Sequence, residues 1–244
     1  MSEPIHLDHE GLVATIRIDR PDRRNALNLT AVEALDAAVG AIAESPTRAV
    51  ILTGTEGHFC AGADLKELED LSFALRLRAM LDRLAALPVP VIAAISGSCM
   101  GLGMQLVLAC DLRVATPDAR FAVPVAKLGL MVDHWTLERL AATFGPGAAR
   151  HLVLSAQVLD ADDAYRLGFV QELGDLDAAR ALAERITHLA PLSIAGSKLG
   201  LNLLEHRPET AAYEEVFHRA WASDDLAEGR AAFAERRAPR FGGS

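Results

Sequence analysis

From Pro88 to Cys110 the chain reads PVPVIAAISGSCMGLGMQLVLAC, a run without a charged side chain that a soluble fold must bury almost whole. Pro88 and Pro90 admit it, an apolar, β-branched stretch from Val89 to Ile95 follows, and Gly97, Gly101 and Gly103 crowd the passage into a second apolar segment. The uncharged stretch begins at Leu84 and has the length of a membrane span. Its prolines, its glycines and Gln105 interrupt it, so it reads instead as buried strand, tight turn and buried helix. Such a turn presents backbone N–H groups with little side-chain cover at a helix N-terminus, an arrangement that stabilises an oxyanion.

The rest of the first two thirds repeats strand and helix. Thr15 to Asp19 alternates apolar and polar residues until Arg20-Pro21-Asp22 turns it. Thr30-Ala-Val-Glu33 has the form of a capping box, and Val32, Leu35, Ala38, Val39 and Ile42 recur at helical spacing until Ser45-Pro46. Ala49 to Thr53 is a short buried strand, and a loop from Gly54 to Asp64 leads to an amphipathic helix from Leu65 to Leu87. Asp111 to Thr116 and Ala119 to Val123 read as further strands, an α/β order of layered sheets flanked by helices. Past Val170 the strand pattern stops. Helical periodicity then fills Asp177 to Leu189, Ser193 to Glu205, Glu209 to Trp221 and Asp224 to Arg236, so residues 1–175 form a core and 176–244 a helical region suited to oligomerisation.

With 244 residues, 51% of them hydrophobic, the chain can bury one large core. A net charge of −9 argues against a nucleic-acid surface but leaves room for a local basic patch on a phosphorylated ligand. Cys60, Cys99 and Cys110 lack CxxC spacing, which speaks against a disulfide framework or a zinc site and for a reducing, cytoplasmic setting; no metal site is expected. The N-terminal MSEPIHLDHEG lacks the basic-then-apolar order of a secretory signal.

Several segments together resemble the crotonase superfamily, also called the enoyl-CoA hydratase/isomerase family: Arg20-Pro21 with Arg24-Asn25-Ala26-Leu27-Asn28, Phe59-Cys-Ala-Gly-Ala-Asp64-Leu-Lys66-Glu67, and Ala109-Cys110-Asp111-Leu-Arg113. Ala119-Arg-Phe121 with Pro124, Leu128-Gly129, Ala164 to Val170, and the tail from Glu228 to Phe241 extend the match over nearly the whole chain. The resemblance implies a spiral of ββα units with a C-terminal helical trimerisation region, homotrimers that often pair into hexamers, and a role in fatty acid or lipid metabolism. A lipid-biosynthesis partner protein would be compatible with that role, and no cofactor is implied beyond the coenzyme A of an acyl-CoA ligand. It further implies an oxyanion hole on the backbone N–H groups of Ala63 and Leu102. CoA contacts would fall at Arg24, Ala61, Ala63, Asp64 and Lys66, and from the tail at Phe233 and Arg236. Met100 and Trp135 would line the acyl pocket.

The departures bear on chemistry. The two glutamates with which a hydratase of this family moves protons fall at Gln105 and Val125, neither of which exchanges a proton near neutral pH. General acid–base groups contribute about 10²–10⁴-fold each, so ordinary hydratase activity should be lost. Leu102 replaces a glycine, and Val132-Asp133-His134-Trp135-Thr136 replaces a glycine-rich segment. Asp133 stands where the dienoyl-CoA isomerase branch places a catalytic aspartate, yet it also precedes Trp135-Thr-Leu-Glu-Arg-Leu, where an Asp caps a helix. His134 is a second acid–base candidate. The sequence thus supports an acyl-CoA-binding protein, with an enoyl-CoA isomerase or another enolate-stabilising enzyme as the alternative.

Two unrelated readings are weaker. Gly97-Ser-Cys99-Met-Gly101 has the form of a nucleophile elbow with Cys in place of Ser, but a hydrolase of that fold needs its histidine on a late βα loop, and His188, His206 and His218 fall in helical segments. Gly101-Leu-Gly103 begins a dinucleotide turn whose third glycine is Leu106.

Overall fold

The apolar segments form the middle of a six-stranded sheet in the structure, a computed structural model that describes residues 3–65, 71–204, 218 and 221–240. β1 (Ile5–Glu10) and β2 (Val13–Ile18) are an antiparallel hairpin. From β2 onward the sheet is parallel, through β3 (Ala49–Gly54), β4 (Val91–Ile95), β6 (Leu112–Ala115) and β9 (Glu172–Leu173). Register is fixed across it: Thr15 faces Ile51, Ile51 faces Ile92 and Ile92 faces Leu112. β3 and β4 are buried along nearly their whole length, which explains why they read as continuous apolar runs rather than alternating ones.

Helices make the parallel crossovers. α1 (Leu29–Ala43) packs on β1 and β2, and α2 (Leu71–Ala86) packs against α1 and α3 (Leu102–Ala109). Arg83 with Asp36 and Arg76 with Glu33 pair across α1 and α2. Ala179, Ala183 and Ile186 of α6 (Leu176–Thr187) cover Val13, Ile51, Ile92, Ala94 and Val114 of the sheet. On α7 (Pro191–Leu204), Lys198 sends its buried Nζ to Asp111 Oδ2 at 2.7 Å and the Val89 carbonyl at 3.0 Å, tying α7 to the ends of β4 and β6. A smaller sheet joins β5 (Ser98–Met100), β7 (Arg120–Ala122) and β8 (Leu159–Asp160), the last leading into α5 (Ala161–Arg166).

Contacts divide the chain into one compact unit of residues 1–121 and 159–204 and another of residues 122–158 and 205–244. In the second, a 3-10 turn (Pro124–Leu128) packs against α8 (Asp224–Glu235). α4 (His134–Ser155) is broken at Gly145, whose φ of 78° precedes Pro146.

Some elements depart from the sequence reading. α1 begins at Leu29 because the Asn28 side chain accepts the Ala31 N–H at 3.0 Å; the cap is therefore Asn28 and not Thr30. β1 was not expected, since its solvent-facing edge carries mostly polar residues, and β9 adds a two-residue strand past Val170. Leu65 lies in a turn, residues 66–70 fall outside the described residues, and so does most of the expected helix Glu209 to Trp221. Among the described residues no helix is long and apolar enough to cross a membrane.

Candidate active site

β4 carries the chain into the glycine turn, and β5 crosses it. There Cys60 pairs with Cys99 in a parallel bridge: the Cys60 N–H donates to the Ser98 carbonyl and the Met100 N–H to the Cys60 carbonyl, both at 2.9 Å. Gly101 then takes φ 52° and ψ −107°, a conformation closed to residues with a Cβ, and the chain enters α3 at Leu102. The first N–H groups of a helix have no acceptor within it. That of Leu102 has none elsewhere among the described residues. At the other end of α3, Arg113 donates to the carbonyls of Val107 and Cys110 at 3.1 Å, placing a cation where the helix dipole is negative.

A second backbone segment faces this turn. Ala61 donates to the Arg24 carbonyl at 3.0 Å, Leu27 to Gly62 at 2.9 Å, and Asp64 to Leu27 at 2.8 Å. In this parallel bridge Leu27 makes both bonds, one on either side of Ala63. The Ala63 N–H is left without an acceptor among the described residues. The two segments touch closely. A Cβ at Gly103 would run into the Cys60 carbonyl oxygen and stand 3.1 Å from Cys60 Cβ, and one at Gly62 would stand 3.3 Å from the Met100 carbonyl oxygen. Two unused N–H groups, one at a helix N-terminus and one on the loop packed against it, are therefore fixed by glycine contacts and backbone bonds before any ligand arrives.

The cysteines belong to the packing beneath. Cys60 and Cys99 are fully buried; burial pushes the Cys60 thiol up to about 12 and the Cys99 thiol well above its ordinary value. Both stay protonated at neutral pH, which leaves Cys99 no thiolate with which to act as a nucleophile.

Gln105 is half-buried one turn along α3, and Met100 is half-buried in β5. Arg24 is exposed in a left-handed conformation (φ 48°), and its guanidinium has no partner among the described residues. The Asp64 carboxylate points inward, 3.3 Å from Arg20 and 3.9 Å from Arg23. Lys66 lies outside the described residues. In the second unit, Val125 is half-buried in the 3-10 turn. Asp133 caps α4, Oδ1 accepting the Thr136 N–H at 3.0 Å and also the Thr136 hydroxyl. His134 Nδ1 lies 3.4 Å from Glu138 Oε2, and buried Trp135 carries the Arg139 guanidinium 4.6 Å from its ring centroid. Phe233 is 55% exposed, so it is no core residue, and Arg236 is exposed at the left-handed end of α8. The sequence reading missed Arg20, Asn25 and Glu138. Glu138 was visible as a carboxylate one helical turn from His134; the other two sit in the string Arg20 to Asn28 already singled out.

A mostly parallel α/β fold thus carries a helix N-terminus and a facing loop that both offer N–H groups without an acceptor among the described residues. The sequence model of the enoyl-CoA hydratase/isomerase family matches residues 8–244, and the chain belongs to that family, with the crotonase fold. It is 41% identical over 237 residues to the probable enoyl-CoA hydratase EchA6 of Mycobacterium tuberculosis, covering 95% of this chain and 96% of the relative. To the short-chain-enoyl-CoA hydratase of Clostridium acetobutylicum it is 34% identical over 246 residues, covering 95% and 94%. Among solved structures, methylmalonyl-CoA decarboxylase in complex with 2-nitronate-propionyl-CoA matches with a TM-score of 0.91 at 25% identity, covering 100% of both chains.

Proposed function

We propose that this protein binds acyl thioesters of coenzyme A in fatty acid or lipid metabolism, holding the thioester oxygen on the Ala63 and Leu102 N–H groups, without the ordinary hydration of an enoyl-CoA. The observation that carries this reading is the pair of unused N–H groups on two closely packed segments. A carbonyl oxygen gains negative charge as its thioester is polarised, and preorganised donors stabilise it without reorganising. The exposed Arg24 guanidinium suits the CoA phosphates. Phe233 and Arg236 are exposed tail groups whose ring and cation suit a nucleotide, and they would act in the homotrimer or paired trimers that the family resemblance implies, in the cytoplasmic setting that the cysteine pattern favours. With Gln105 and Val125 at the glutamate positions, hydration lacks a proton carrier. The test is to titrate the purified protein with acyl-CoAs of several chain lengths and to follow hydration of the matching 2-enoyl-CoAs. Binding without turnover is expected. Hydration at the about 1–10³ s⁻¹ of ordinary enzymes, or no binding, would sink the reading.

A second reading, an enolate-stabilising acyl-CoA enzyme, is favoured by the Glu138 carboxylate beside His134, an arrangement that orients an imidazole for proton transfer. Asp133 is the weaker acid–base candidate because its carboxylate caps α4. Decarboxylation of a 2-carboxyacyl-CoA, the activity in the structural neighbour's name, needs no base. The electrons of the C–CO₂⁻ bond pass into the enolate, CO₂ leaves, and one proton is returned to the α carbon. Release of CO₂ from methylmalonyl-CoA, or exchange of α protons into deuterated water that His134→Gln abolishes, would establish this reading over simple binding.

A further inference from the structure

Arg20 and Asp64 are charged, largely buried and unused by the chemistry above, and both adjoin its loop donor. Asp64 follows Ala63 directly; its side chain is 7% exposed and that of Arg20 15%. Arg20 Nη2 lies 3.3 Å from Asp64 Oδ2, and Nη1 donates to the Ala26 carbonyl. Ala26 adjoins Leu27, whose backbone makes the bonds on either side of Ala63. One guanidinium therefore grips both strands of the bridge, Ala26 on one side and Asp64 on the other.

Arg20 is itself held. Its N–H donates to Asn25 Oδ1 at 2.9 Å, and its carbonyl accepts the N–H groups of Arg23 and Asn25, each at 2.9 Å. Asn25 is fully buried with φ 60°, and its Nδ2 donates to the carbonyls of Thr55 at 2.8 Å and His58 at 2.6 Å. Two successive left-handed residues that are not glycine, Arg24 and Asn25, are a costly backbone that persists only where its surroundings over-determine it. Removing a carboxylate and a guanidinium from water costs about as much as their attraction returns, so the pair is a poor source of net stability. Its geometry fits a different role.

We propose that Arg20 and Asp64 are positioning residues that aim the Ala63 N–H, the guanidinium locking Ala26 to Asp64 across the bridge in which Ala63 sits. This rests on the reading of Ala63 as an oxyanion donor; neither side chain touches the thioester. Asp64 is then a strut and not a CoA contact.

The experiment compares butanoyl-CoA with its thioether analogue S-butyl-CoA, which has no carbonyl, by calorimetric titration. Isotope-edited infrared spectra of bound butanoyl-CoA labelled at the carbonyl carbon supply the second readout. The unaltered protein should prefer the thioester and lower its carbonyl stretching frequency. Asp64→Asn and Arg20→Gln should each weaken the thioester about tenfold, the worth of one hydrogen bond, and return the frequency toward that of free butanoyl-CoA. Thioether affinity should stay within about twofold, and the double variant should be no worse than either single one, because the two residues act as a unit. Arg20→Lys keeps the charge and supplies a folded comparison if a neutral variant melts; it should retain part of the preference. Equal weakening of thioester and thioether, an unchanged carbonyl frequency, or additive losses would overturn the proposal. A protein that never preferred the thioester would instead overturn the oxyanion reading beneath it.

Discussion

An alanine at Gly103 would drive its methyl group into the Cys60 carbonyl oxygen, a backbone atom held by the Met100 N–H and unable to swing aside. Forcing a methyl into so tight a contact costs about 1–3 kcal/mol, so Gly103→Ala should lower the urea midpoint by that equivalent and weaken acyl-CoA binding by displacing α3 from the loop. Asp133→Ala separates two roles for one carboxylate. Loss of the cap should cost about 1 kcal/mol in denaturant unfolding, with acyl-CoA affinity and any turnover unchanged; loss of turnover at intact affinity would make Asp133 an acid–base group instead. At this scale the sequence is legible where a residue acts on its chain neighbours. Asp133 could be read as a cap from its place before Trp135-Thr136, whereas Thr30 misled because Asn28 is also a capping type and is the one that meets the Ala31 N–H. The side chains of Asn25 and Asp64 act on segments distant in sequence, through bonds that no local pattern announces.

α8 ends in a clamp that makes an element-level test of pH. Glu228 accepts two bonds from Arg237, at 2.5 and 2.8 Å, and one from the Arg240 N–H at 2.7 Å, fastening the segment past the helix back onto its second turn. The Arg237 guanidinium, followed by the Arg240 N–H, draws the Glu228 carboxyl down from 4.5 to about 2. A depressed carboxyl contributes stability that is complete above its unfolded value and is lost as pH falls through the folded one. Order of residues 236–240 should therefore be constant above about pH 5 and fall between roughly pH 4.5 and 2. The side-chain carbon resonance of Glu228 should titrate with that midpoint, and Glu228→Gln should remove this part of the acid response. The helix itself was legible from its periodicity over Asp224 to Arg236; the clamp was not, because Arg237 lies beyond the helix end and returns through space. β1 escaped notice for a related reason: an edge strand with solvated side chains lacks the apolar signal that marks β3 and β4.

For the whole molecule, the centre of the sheet was legible because β3 and β4 are buried along nearly their whole length and so are written as apolar runs, whereas β9 is too short and too exposed to leave that pattern. How contacts divide the chain was not legible, since residues 122–158 leave the first unit in mid-sequence and residues 159–204 return to it. Both unused N–H groups belong to that first unit, on segments fixed by its sheet, so the unliganded fold already holds them in place. Binding then needs little ordering of the chain, and ligand affinity should appear directly as folding stability. A ligand taken up only by the folded state raises the unfolding free energy by about 2.7 kcal/mol at one hundred times its dissociation constant. Calorimetric scans at increasing butanoyl-CoA should therefore show a midpoint that climbs with the logarithm of ligand concentration above saturation. At equal concentrations S-butyl-CoA should raise it less, the difference being the contribution of the carbonyl on Ala63 and Leu102. Gly103→Ala should shrink that difference while leaving the thioether response in place, since the nucleotide end of the ligand is untouched. Equal responses to thioester and thioether in the unaltered protein would mean that the molecule recognises coenzyme A without engaging the carbonyl.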